Sequence, residues 1–149
     1  MLRPQKPYSP IIPAQPNLTS GNIWNSLYLV TQKSDKYDLE ERTTVFSEKI
    51  ISLSKKSSKN ITTNPIIDQL VRCGTSIGAN YFEANGACSK KDFRNKIFLC
   101  KKESKETQYW LRILGGADEN IKTECRELWL EAGEFVRIFG KIAANTIVN

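Results

Sequence analysis

Glu83, Glu103 and Glu106 are placed where two helices would face each other. Carboxylates on facing helices are the raw material of a di-metal bundle site, but that design also calls for Glu-x-x-His pairs. The chain has no histidine, which removes the commonest general base and metal ligand together. Its cysteines, Cys73, Cys88, Cys100 and Cys125, show no CxxC spacing, which argues against zinc. Cys73, Cys100 and Cys125 fall on helical core positions and read as small buried thiols. Gly74-Thr75-Ser76-Ile77-Gly78 lies inside a helix and lacks the lysine of a phosphate loop. With no nucleophile–base pair either, no catalytic residue, metal site or cofactor is expected. The carboxylates should instead pair with Arg72, Arg94 and nearby lysines. Arg72, Asn80, Glu83, Glu103 and Glu106 then form a structural polar network. Asn80, one turn from Glu83, either sets register or oligomeric state or meets a ligand.

The other chemistry on offer is cationic. The formal charge of +6 and pI near 9.2 suit phosphate backbones and acidic partners. Between residues 90 and 112, Arg94, Lys101, Lys105 and Arg112 recur at steps of seven, four and seven, on one helix face. With Lys90 and Lys91 they are the candidate nucleic-acid contacts, a row able to track phosphates. Glu103 and Glu106 dilute that row, and lysine-rich faces are also ordinary solvated surface. No recognition-helix or RRM-like pattern accompanies it, so any RNA or DNA would be bound without sequence readout.

These residues need rods to hold them. From Ser89 to Leu114 the apolar or small positions Phe93, Ile97, Cys100, Ser104, Thr107, Leu111 and Leu114 alternate steps of four and three. That rhythm is one stripe on a straight helix. Ser89 supplies a cap, and Gly115-Gly116 either ends the helix or lets it run to about Glu119. A first helix starts at Asp38, with Glu41 in capping-box spacing, carries Leu39, Thr43, Phe46, Ile50, Leu53 and Ser57, and fades near Lys59. A second opens at Asn64-Pro65 and carries one stripe of Ile66, Leu70, Cys73, Ile77 and Tyr81 and another of Ile67, Val71, Gly74 and Gly78. Gly74 and Gly78 imply a close neighbour, and Gly86 suits a left-handed end. A fourth, capped by Thr123, carries Cys125, Leu128, Ala132, Phe135, Phe139, Ile142 and Thr146.

Four such helices with short links make an all-α, antiparallel up-down-up-down four-helix bundle over residues 37–149. Folding the second and third helices about Ala87 sets Arg72 level with Glu103, Gln69 level with Glu106, and Glu83 near Arg94. Surplus apolar residues beside the stripes, Val45, Ile51, Phe98, Trp110, Ile113, Trp129 and Val136, point to self-association. Residues 1–36 stand apart as an extended, Pro-rich arm. Prolines 4, 7, 10, 13 and 16 would line one edge of a polyproline II helix, as a PxxP ligand or as a plain arm. The apolar segment 22–33 fits a short helix or a strand. No secretion signal or long apolar run is visible, so a cytoplasmic protein is expected.

The run from Gln69 to Ala84, QLVRCGTSIGANYFEA, resembles the 23S rRNA intervening-sequence proteins. So do Ser89-Lys90-Lys91-Asp92-Phe93, Lys102-Glu103-Ser104-Lys105-Glu106, Tyr109-Trp110-Leu111-Arg112 and Leu39-Glu40-Glu41-Arg42-Thr43. The likeness covers about residues 37–146. It implies a four-helix bundle able to form a barrel-like homopentamer. One related branch, the accessory protein of diversity-generating retroelements, implies a reverse transcriptase and nucleic acid as partners of a basic surface. Ser104, where a small apolar residue is usual, and Gly115-Gly116 depart from the family pattern.

Overall fold

The four-three stripes become the buried seams of a bundle. The computed structural model describes residues 38–147. Within them lie α1 (Leu39–Lys56), α2 (Thr63–Asn85), α3 (Lys90–Ala117) and α4 (Lys122–Asn145), with a 3-10 turn at Glu119–Ile121. The described residues contain no strand. The Pro-rich arm and the 22–33 segment lie outside them.

Contacts of α1 with α2, of α2 with α3 and of α3 with α4 run in opposite chain directions. Asn85 on α2 donates to Glu40 near the start of α1, and Gly74 packs on Ile50 further along it. Cys100 on α3 reaches the Ile77 carbonyl, while Thr107 lies 3.3 Å from the Cys73 sulfur. Gly115 meets Cys125, and Lys101 lies across Gly140. α1 and α4 close the circuit through Phe46 and Phe135, edge to face at 5.2 Å, and through a bidentate Arg42–Glu131 pair at 2.7 and 3.0 Å. Phe139 extends the ring contacts to Phe135 and to Tyr81 of α2.

The core holds the expected stripe residues: Phe46, Ile50, Leu53, Leu70, Ile77, Ile97, Leu111, Leu114, Phe135 and Phe139 are all buried. Hydroxyls on the stripes bond their own helix. Thr43 donates to Glu40 O at 2.9 Å, Ser104 to Cys100 O at 2.7 Å, and Thr107 to Glu103 O at 2.8 Å. Ser104 therefore replaces an apolar residue without stranding a polar group.

The helix ends depart from expectation in four places. α1 stops at Lys56, short of Lys59. α2 begins at Thr63, and Asn64 is not its cap; the Asn60 side chain takes the Thr62 and Thr63 amides at 2.9 and 3.0 Å instead. Gly86 has φ −96° and ψ 8°, not left-handed, because its amide closes a three-residue turn onto Glu83. Thr123 caps nothing: α3 runs through both glycines to Ala117, and Asp118 turns the chain by accepting from the Asn120 amide at 3.2 Å.

Asp118 also reaches across the bundle end. It accepts from the Ser58 amide at 2.7 Å and the Ser57 hydroxyl at 3.3 Å, pinning the α1–α2 loop to the α3–α4 turn.

The adjacent glycines 115 and 116 should behave oppositely. A Cβ on Gly116 meets nothing within 4 Å, whereas one on Gly115 would sit 3.1 Å from the Cys125 Cβ, which only a helix shift can relieve. Gly116→Ala is expected to stabilise by up to about 1 kcal/mol through helix propensity. Gly115→Ala should lower the melting temperature. Thermal unfolding followed by circular dichroism decides both signs.

Candidate functional site

α3 positions most of the candidate residues, because it packs on α2 along one flank and on α4 along the other. Its three acids, Asp92, Glu103 and Glu106, fall on the α2 flank by helical periodicity. There Glu106 accepts from Arg72 at 2.7 Å and from the Trp110 indole at 3.4 Å, and Arg72 also holds Gln69 at 2.7 Å. The expected α2–α3 register holds to within a turn: Arg72 pairs with Glu106, not with Glu103.

Other members of the expected network separate. Glu83 pairs with Lys96, two residues beyond Arg94, so the anticipated Glu83–Arg94 contact is replaced. Asn80 donates to Ser76 O at 2.9 Å within its own helix and joins no interhelical network. Glu103 is 9% exposed, and its Oε2 is buried without a hydrogen-bond partner. Burial, with Glu106 beside it, pushes the Glu103 carboxyl above its ordinary value.

The outward face of α3 differs from this flank. Lys91, Arg94, Phe98, Lys102, Lys105, Tyr109 and Arg112 follow one another at steps of three or four, and no acid interrupts them. All but Arg94 are exposed. At about 1.5 Å per residue this ridge is about 30 Å long. Arg94 is tied down, its Nε donating to Ala143 O at 3.2 Å and its guanidinium lying 5.4 Å from the Phe98 ring centre. Lys101 leans to the α4 side, folded over Gly140, and Lys90 is exposed at the helix start. Among the described residues, ion pairs engage Arg42, Lys56, Arg72, Lys96, Lys122 and Arg137. None engages a ridge cation.

Elsewhere the chemistry is muted. Burial raises the thiols of Cys73 and Cys125 to about 11 and that of Cys100 to about 12, so all three are protonated at neutral pH. Among the described residues no group of three or more His, Cys, Asp or Glu could hold a metal ion. An open groove of about 260 Å³ between α1 and α4 has Leu53 and Leu128 among its lining, with Lys56 and Glu124 paired across it at 2.6 Å. No described helix is long and apolar enough to cross a membrane.

Sequence reasoning found the cations but read Phe98 only as surplus apolar surface and passed over Tyr109. The signal was their spacing, which continues the basic row without a break.

Fold and site together define a small helical bundle whose distinctive feature is a charged helix face. The chain belongs to the 23S rRNA-intervening sequence protein family, whose model matches residues 35–140. A similar solved structure is that of a protein of unknown function from the S23 ribosomal protein family of Bacteroides thetaiotaomicron VPI-5482. It is 28% identical, with a TM-score of 0.63, over 70% of this chain and 97% of that one. No curated protein matches the chain.

Glu103 and Asp118 should leave opposite marks on stability. The Asp118 carboxyl is lowered from 3.8, chiefly by the Ser58 amide, so it stabilises above that value and the benefit is lost as pH falls through its folded pKa. The Glu103 carboxyl is raised from 4.5, so its contribution falls as pH climbs past that value. Urea denaturation of wild type and Glu103→Gln from pH 4 to 7 should show the variant gaining on wild type as pH rises. A constant difference would contradict it.

Proposed function

We propose that this chain is a non-catalytic, self-associating bundle that binds RNA or DNA without sequence readout, as an accessory or scaffold protein of a nucleoprotein complex. The observation that carries this reading is the outward face of α3, where cations that form no ion pair among the described residues follow one another with no intervening acid, while Glu106 of the same helix is turned to Arg72 of α2. Cations so arranged exchange their counterions for phosphates. A reverse transcriptase or similar nucleoprotein enzyme is the partner proposed, on the family resemblance. Self-association, with a homopentamer as the favoured form, would use apolar residues the fold leaves outside, among them Phe82, Leu99, Trp129 and Leu130. Several weak ridges engaging one strand would then gain avidity.

Salt dependence tests the electrostatic core of this reading. Affinity for a labelled RNA, followed by fluorescence anisotropy, should fall by more than about tenfold between 50 and 200 mM salt. Lys102→Glu with Lys105→Glu should weaken binding further and flatten that dependence. Affinity unchanged by salt would sink the proposal. Loss of partner capture on deleting residues 1–36, with RNA binding intact, would favour a protein-interaction module instead.

A further inference from the structure

We infer that the α3 ridge is a track for single-stranded nucleic acid, with Phe98 and Tyr109 stacking on unpaired bases while the cations between them hold phosphates. This rests on the nucleic-acid binding proposed above and narrows it to strands whose bases are free.

The ridge is not uniformly basic. Phe98 is 45% exposed and Tyr109 57% exposed, on the same acid-free face as Lys102, Lys105 and Arg112. A bare phosphate track has no use for exposed rings. A paired duplex buries its base faces in its own stack, so rings on a convex helix could not reach them. An unpaired strand offers both partners, phosphates for the cations and base faces for the rings. Phe98 and Tyr109 stand about 16 Å apart along the helix. At roughly 3.4 Å per stacked nucleotide that spans about five steps, with Lys102 and Lys105 in the interval.

Both rings are also held. Phe98 lies beneath the Arg94 guanidinium, which the Ala143 carbonyl fixes. Tyr109 stands edge-on to Trp110, ring centres 4.9 Å apart at 78°. Trp110 donates to Glu106, and Arg72 holds Glu106. The chain of contacts from α2 to Tyr109 fixes the ring before any ligand arrives, so little freedom remains to be lost on stacking. Stacking engages the face of a base and not its edge, so no sequence preference is implied, and single-stranded RNA and DNA should both bind.

The test uses the full chain and four probes in anisotropy: a mixed-sequence 20-nucleotide RNA, its DNA equivalent, the corresponding RNA duplex, and inorganic polyphosphate as a competitor lacking bases. Both single strands should outbind the duplex. Phe98→Ala and Tyr109→Ala should each weaken single-strand binding about tenfold, while leaving duplex binding and polyphosphate competition unchanged. Tyr109→Phe, which keeps the ring, should restore the affinity. Equal binding of strand and duplex, with alanine variants that affect neither, would overturn the inference yet leave the phosphate-binding reading standing. Alanine variants that break self-association in sedimentation without touching strand affinity would also overturn it, assigning the rings to an interface between copies. Failure of every probe to bind would overturn both readings.

Discussion

The narrowness of the buried stripe on α3 governs the rest of the molecule. That helix lies between α2 and α4, and its seam intersperses Ile97, Leu111 and Leu114 with the small residues Cys100, Ser104, Thr107 and Gly115. Small side chains let two neighbours approach closely, at Thr107 against Cys73 and at Gly115 against Cys125. A seam this narrow leaves a wide arc of the helix facing water. The many charges of α3 must be divided over that arc, and the division is uneven. The acids sit toward α2, where Arg72 and a neighbouring lysine, Lys96, meet acidic partners of the two helices. The outward arc carries the cations and rings, with Asn95 and Ile113 exposed at its edge and no acid among them.

Two acids show how the bundle treats polar groups near its seams. Asp118 is buried yet receives the Ser58 and Asn120 amides and the Ser57 hydroxyl, so its charge is favoured and two loops are joined through it. Glu103 is buried with one oxygen unpartnered, so its charge is a burden. A buried acceptor left open within one chain is costly. In the proposed assembly a second copy could complete it, which would make the burden a device for specifying association.

The four-three rhythm made the helices and their core legible, because burial of one face is a property of spacing alone. Helix ends were less legible, because several residues of capping type stand near each start and spacing alone does not choose among them. Asn60 caps α2 from outside the helix, and Asp118 turns the chain before α4 by contacts that include a loop 60 residues away. Asn64 and Thr123 had the right residue type, but the chain enters each helix earlier. Gly86 shows the same limit: a glycine after a helix permits a left-handed turn without requiring it. On the surface, antiparallel register predicted an Arg72 pairing to within a turn. It could not choose between Arg94 and Lys96 for Glu83, which depends on how each side chain leaves its helix. Phe98 and Tyr109 were hidden by their type, since an aromatic residue outside the core stripe reads first as surface for self-association.

Self-association and strand binding make compatible demands on this surface. Phe82 is on α2, and Trp129 and Leu130 are on α4. Leu99, next to Phe98 in sequence, turns toward the α2 flank by its helical angle. Copies joined through such residues would leave each α3 ridge uncovered. A single ridge offers few phosphate contacts and two rings, which is weak by itself. Copies held in one assembly convert each further contact with the same strand into an intramolecular event. Under that arrangement the bundle has a physical task. It can hold an unpaired strand loosely at many points, extended and free of its complement, while another protein acts on the bases.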